Sequence, residues 1–314
     1  MSDQETEDQM ISSGRHGSRG GYVGTGRFSG PIEGSDVTPA RGLYRAGETT
    51  FGMRYFYLTF APLWERFLLG EGLLLLVNAA IIWFARPGIY TGVIALVLSV
   101  TVLAILYSFN DLHDAEHDRN NPKKNQRLVS AFLQHNHTFY FYIAAVKLGL
   151  VLLAYFLVDA WTAAAVLSVV VINLIYSLWL KGVPIVDILM VGAWGSAYSA
   201  VASPAWRICL LVGIMTSVTH IFQILSDYDA DTTSRVRTTA VFSAWATTAM
   251  FAAACAALFL VLAAELGPAW ALTAFVPLAL HLGPISNGSA WWVSRIYFGL
   301  VLIVILGGFS GHTG

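Results

Sequence analysis

IYTGVIALVLSVTVLAILYSF (residues 89–109) carries no charged residue, and it passes without a break into NDLHDAEHD (residues 110–118). A helix needs about 20 apolar residues to cross the hydrocarbon of a bilayer. The first stretch is therefore read as a membrane span and the second as its polar end. Comparable apolar runs recur along the chain, at approximately 67–85, 137–158, 161–180, 184–203, 206–226, 239–264, 268–283 and 290–309. The eighth of the nine is short and contains Pro277 and His281. The predicted fold is all-α, a multi-pass transmembrane bundle of about nine helices embedded in the lipid bilayer.

Composition agrees with that class. Of the 314 residues 56% are hydrophobic and 12% charged, against roughly 25% charged in soluble domains. So few charges cannot cover a water-facing surface, and lipid must solvate much of the chain. The net charge of −1 speaks against a bulk polyanion, so no nucleic-acid partner is expected. Cys209 and Cys255 lie in apolar runs and are expected to be small core residues. Residues 1–48 are a different material, rich in Gly, Ser, Asp and Arg without periodicity, and are expected to form a disordered tail. The aromatic segment FGMRYFYLTFAPLWER (51–66), flanked by Arg54 and Arg66, suits the membrane interface or the start of the first span.

Basic residues set the orientation. Arg119, Lys123, Lys124 and Arg127 follow the second span, Lys181 the fourth, and Arg235 and Arg237 the sixth, while Arg295 adjoins the ninth. All fall on the side of the tail, which has five arginines; the other side offers only Arg86 and Arg207. The tail and the basic loops are expected to be cytoplasmic. The longest of these loops is expected from Asp111 to about Asn136.

Two acidic constellations stand at span ends on that side. In Asn110–Asp118 a continuing helix would place Asp111, Asp114 and Asp118 at i, i+3 and i+7, with Asn110 one turn before Asp114. Carboxylates so close repel unless a cation sits among them. Hard oxygen donors suit Mg²⁺, which completes its shell with waters and substrate phosphates. In Asp227-Tyr228-Asp229-Ala230-Asp231 the first and last aspartates share a face and Asp229 does not. His113 and His117 stand four apart, but the oxygen donors around them favour a hard ion over a transition metal. The cations beside both clusters are what a diphosphate leaving group requires. Glu71, Lys147 and Asp187 are costly within spans; for Glu71 and Lys147 helix packing is the expected account.

N-D-x-x-D-x-x-x-D at 110–118 and D-x-x-x-D at 227–231 resemble the paired aspartate-rich motifs of the UbiA prenyltransferase superfamily. The loop at 118–127, Tyr176 with Lys181, and Arg237-Thr-Thr-Ala240 are similar to further elements of that family. The resemblance implies a helical bundle over residues 49–314 with a central cavity open to lipid and Mg²⁺ as cofactor. It implies a prenyl diphosphate donor and a hydrophobic acceptor (an aromatic or quinone precursor, a carotenoid or a lipid). By motif position Asn110, Asp111, Asp114, Asp118, Asp227 and Asp231 would be metal ligands. Asp114, Asp118 and Asp231 would be central to catalysis, and Asn110, Arg127, Lys181 and Arg237 would contact the diphosphate. Tyr107, Tyr176, Trp194 and Tyr198 are candidates to face an allylic cation. Leu128 and Arg235 depart from the family's usual proline and glycine. A terpene cyclase with the same motifs is the alternative, and a transporter with acidic rings at its mouth is the non-enzymatic one.

Overall fold

The computed structural model describes residues 51–68, 72–85, 88–119, 124–233 and 236–310. The tail, Glu71, Arg86, Lys123 and Arg235 lie outside the described residues. All regular structure among them is helical. Six helices are long and apolar enough to cross a membrane, and three shorter apolar segments accompany them. Nine apolar segments are thus present, and the chain is an integral membrane protein by composition and length.

Helix α1 (Phe51–Leu68) is separate from α2 (Leu73–Ala85). The span expected at 67–85 therefore begins later, after a break. Pro62 in α1 has no N–H for the Leu58 carbonyl, and Ser108 Oγ, from helix α3 (Ile89–Asp118), stands 3.1 Å from that oxygen and 2.6 Å from the Thr59 carbonyl. The buried face of α1, Tyr55, Leu58 and Leu63, packs inward. Met53, Phe56, Trp64 and Phe67 form an exposed stripe on the other side, as suits an interfacial helix.

Helix α3 (Ile89–Asp118) runs straight through the first acidic cluster, and α4 (Gln126–Leu157) begins eleven residues before the predicted span. The long polar loop expected from Asp111 to Asn136 is therefore mostly helix, and only the short link between α3 and α4 remains. The physical reason is that polar residues end a span without ending a helix. Leu112 and Ala115 stay buried at 2% and 1% exposure, so packing continues past the apolar run. Asn125 then caps α4, accepting from the Arg127 and Leu128 amides at 3.1 and 3.4 Å.

Helix α5 (Ala160–Ile175) is capped by Asp159, and α6 (Val186–Ala202) and α7 (Trp206–Ser226) form the tightest pair in the bundle. A Cβ on Gly213 would lie 1.9 Å from Ser196 Oγ, and one on Gly192 2.1 Å from Ser217 Oγ. Small residues let these backbones approach where no hydrophobic effect drives helices together. After the short α8 (Tyr228–Thr233) and α9 (Thr239–Phe242) comes α10 (Ala244–Leu266). The span expected at 239–264 is thus broken at Ser243, whose side chain caps α10. The eighth span is divided into α11 (Pro268–Ala271), a 3-10 turn and α12 (Val276–Leu282). Finally α13 (Asn287–Ser310) packs on α2, so the first and last apolar helices meet. One core gathers α1, α3, α4 and α5, and the other gathers α2, α7, α10 and α13, with α6 contributing to both.

Candidate active site

The helical register of α3 decides where the first cluster points. Phe109, Leu112 and Ala115 take the buried side, which leaves Asp111, Asp114 and Asp118 half-buried. Each then meets a cation from a different element. Arg66 of α1 grips Asp111 with both ends of its guanidinium, Nη1 to Oδ2 at 2.8 Å, and lies 4.4 Å over the Tyr107 ring. Lys181 pairs with Asp114. Lys124 Nζ stands 3.2 Å from Asp118 Oδ2. Asn110 is held from α5 and the turn after it: its Oδ1 accepts from Asn173 Nδ2 at 2.9 Å and Ser177 Oγ at 2.5 Å.

A π-helical turn, Tyr176–Leu180, delivers Lys181. Its closing bond, Lys181 N to Tyr176 O at 2.8 Å, spans five residues instead of four, and such wider turns recur at functional sites. Gly182 follows with φ +78, beside the Arg237 backbone amide. Ile185 has φ 70, a conformation that β-branched residues avoid. It is held there by its N–H, which donates to Thr239 Oγ1 at 2.7 Å. Asp187, 1% exposed, completes the junction. Its carboxylate accepts from the Thr239 N–H and the Ile188 N–H, each at 2.8 Å, and from the Thr239 hydroxyl. Three donor–acceptor links thus bind the loop carrying Lys181 to the segment carrying Arg237.

The second cluster lies at a helix break. Helix α7 stops at Ser226, and Asp227 adopts φ −93, ψ 3. One turn is preserved, because the Asp231 amide donates to the Asp227 carbonyl at 2.8 Å. Asp231 accepts from Thr238 Oγ1 at 3.2 Å. Its carboxyl is pushed up to about 6, first by burial and then by the neighbouring Asp227, while Thr238 and Lys181 pull it down. Lys181 therefore acts on both clusters, pairing with Asp114 and lowering Asp231. Asp229 is exposed.

Not every expected residue joins. Arg127 stands exposed on the first turn of α4, and Arg237 lies 5.8 Å from the Phe242 ring centroid. Tyr198 is fully buried, stacked on Trp194 at 5.8 Å with its hydroxyl donating to the Ser99 carbonyl, and serves packing. Among the described residues no three His, Cys, Asp or Glu side chains converge on one point. Six oxygen-donor side chains nonetheless line the two helix ends, at Asn110, Asp111, Asp114, Asp118, Asp227 and Asp231. That donor set fits Mg²⁺.

Sequence reasoning missed Arg66 and Glu65 as parts of this site. Glu65 lines a pocket with Asp111, Asp118, Lys124 and Asn125, and burial raises its carboxyl above the usual range. Arg66 was noted only as an interface flank. Asn173 and Ser177 carry no signal in the sequence, since neutral polar residues in spans have no spacing rule; Thr238 and Thr239 belong to the Arg237–Ala240 element, whose resemblance does not show that they bind Asp231 and Asp187.

A family model described as the UbiA prenyltransferase family matches residues 73–298. Among solved structures the chain is similar to a UbiA homologue from Archaeoglobus fulgidus bound to DMAPP and Mg²⁺, at 18% identity and TM-score 0.56, over 82% of this chain and 97% of that one. The same homologue bound to GPP and Mg²⁺ aligns at 16% identity and TM-score 0.56, over 82% and 98%. Its Cd²⁺-bound form aligns at 14% and 0.55 over the same shares. No curated protein sequence matches.

Proposed function

The chain belongs to the UbiA prenyltransferase family, and from that membership we propose that it transfers a prenyl group from a prenyl diphosphate to a hydrophobic acceptor, with Mg²⁺ as cofactor. The observation that carries the proposal is the placement of Lys181, which pairs with Asp114 while also acting on Asp231. A cation shared by two acidic clusters marks one anion site between them and not two independent sites. The similar Archaeoglobus fulgidus homologue, which binds DMAPP and GPP with Mg²⁺, supports the donor and the ion.

Asp111, Asp114, Asp118, Asp227 and Asp231 would hold the ions. When bound, Mg²⁺ would neutralise the diphosphate oxygens and make them a better leaving group. The chain's own residues do the rest. Lys181 and Arg237, whose segments are fastened together through Asp187 and Thr239, would present positive charge where negative charge accumulates on the departing diphosphate. Fixed charges of this kind need no reorganisation as the C–O bond breaks. Arg66 and Lys124 hold the first-motif carboxylates in place, and Arg127, exposed on the first turn of α4, would contact the diphosphate only once it is bound. The allylic cation is then captured by the acceptor, and the surrounding apolar helices exclude water. Residues 49–314 form the transferase unit, and the motif ends and the 1–48 tail face the cytoplasm.

The decisive experiment incubates the purified protein with GPP and Mg²⁺, with and without extracted membrane lipids, and identifies products by mass spectrometry. A prenylated lipid formed only when acceptor is present is the expected result. A cyclic hydrocarbon or alcohol formed without acceptor would assign a cyclase instead. For orientation, a cysteine at Gln126 should be labelled from the cytoplasm and one at Gly88 from outside; the reverse pattern would overturn it.

A further inference from the structure

Lys147 sits in the middle of α4 at 5% exposure. Among the described residues no carboxylate pairs with it: its ammonium is 3.1 Å from Asn173 Oδ1 and 3.6 Å from the centre of the Phe109 ring. A cation over an aromatic face is attracted to it, but an apolar side chain would pack there without the penalty of burying charge in a span. The helix-packing account expected from the sequence does not explain why a charge is kept.

The direction of the hydrogen bonds does. A lysine ammonium only donates, so the atom of Asn173 that it meets must be the carbonyl oxygen. That turns the Asn173 amide nitrogen away from Lys147 and toward Asn110, 2.9 Å away. The atom of Asn110 receiving it must therefore be a carbonyl oxygen as well. Ser177 Oγ, at 2.5 Å, donates to the same oxygen. Amide orientations are normally set by their networks, and here one donor-only group anchors the whole chain of three. Both lone-pair directions of Asn110 Oδ1 are filled from inside the bundle. Its Nδ2 makes no hydrogen bond among the described residues.

We propose that Lys147 is a positioning residue for the first motif, fixing through Asn173 the sense of the Asn110 amide so that the site meets an N–H donor and not a carbonyl oxygen. Resting on the function proposed above, this makes Asn110 a donor to the diphosphate, whose oxygens only accept, and removes it from the metal ligands. Asn110 shares a helix face with Asp114, at i and i+4, which sets its donor beside the Lys181 ammonium. One neutral and one charged donor then flank the same end of the anion.

Full-length protein in detergent tests this by calorimetry with two readouts: GPP affinity at saturating Mg²⁺, and the Mg²⁺ concentration for half-saturation at saturating GPP. Lys147→Met and Asn173→Asp should each weaken GPP about tenfold, the worth of one hydrogen bond to a charged acceptor, with Mg²⁺ half-saturation unchanged. Asn173→Asp still satisfies Lys147 but cannot donate to Asn110, so it decides the matter should Lys147→Met fail to fold. Asn110→Asp keeps a carbonyl-type oxygen and loses the donor, and it should weaken GPP at least as much. Tighter Mg²⁺ binding with GPP affinity retained in Asn110→Asp would return Asn110 to the metal and overturn the proposal. A Lys147→Met protein changed only in thermal midpoint would reduce Lys147 to packing. A wild-type protein that binds no GPP at any Mg²⁺ concentration would instead sink the proposed function, and this inference with it.

Discussion

The two acidic motifs hold similar residues in different ways. The first lies on an unbroken helix, and each of its three aspartates is matched by a cation from another element: Arg66, Lys181 and Lys124. The second lies where α7 ends, and Asp231 accepts from Thr238 without an ion pair of its own among the described residues. Burial and Asp227 lift its carboxyl to about 6. Each aspartate of the first motif is thus held by an ion pair, whereas Asp231 of the second is held by a neutral hydroxyl. Lys181 is the residue that joins the two arrangements.

The largest expected effect tests whether the two motifs act as a unit. Asp114→Asn and Asp231→Asn should each lower kcat/KM about a thousandfold, and the double variant should be little worse, because groups acting together are strongly non-additive. Losses that multiply would separate the motifs and break the comparison. Next is the residue between them. Lys181→Met should cost about a hundredfold in turnover, and its loss should add little in an Asp114→Asn, Asp231→Asn background.

Smaller effects sharpen the difference. Asp187 has no part in either motif, yet it fastens the loop of Lys181 to the segment of Arg237. Asp187→Asn should lower turnover about tenfold and reduce the unfolding temperature, since a buried group loses its matched donors. Unchanged kinetics would show that the junction is not needed to place the two cations. The smallest effect is on stability against pH in chelator. Asp231 has a folded pKa raised above its unfolded value of about 3.9, so the folded protein binds more protons between about pH 4 and 6. Its contribution therefore favours folding at low pH and is lost as pH rises through about 6. The thermal midpoint of the wild type should fall relative to that of Asp231→Asn as pH rises from about 4 to about 6, and added Mg²⁺ should remove the difference. Parallel curves would mean that burial and Asp227 do not raise the Asp231 carboxyl.

Membrane class, the apolar segments and both acidic motifs were legible because they are local patterns. An apolar run is long enough for a bilayer or it is not, and spacings of three, four and seven put residues on one helix face. Span edges were less so. The polar stretch from Asp111 to Asn136 looks like a loop by hydropathy, yet Leu112 and Ala115 keep it packed and Asn125 starts a new helix. Hydropathy reports where lipid ends, not where a helix ends.

The sequence by itself determined the solvent of this protein, its helical class, and which side chains stand at the membrane face, because each depends on residues within a turn or two of one another. Tertiary structure alone decided the partners. Arg66 meets Asp111 across 45 positions, Lys181 meets Asp114 across 67, and Thr239 meets Asp187 across 52. Lys147 acquires a purpose only when Asn173 and Asn110 line up beyond it. Periodicity gives a side chain its direction, but the group waiting there belongs to another helix, and it is helix packing that brings the two within hydrogen-bonding distance.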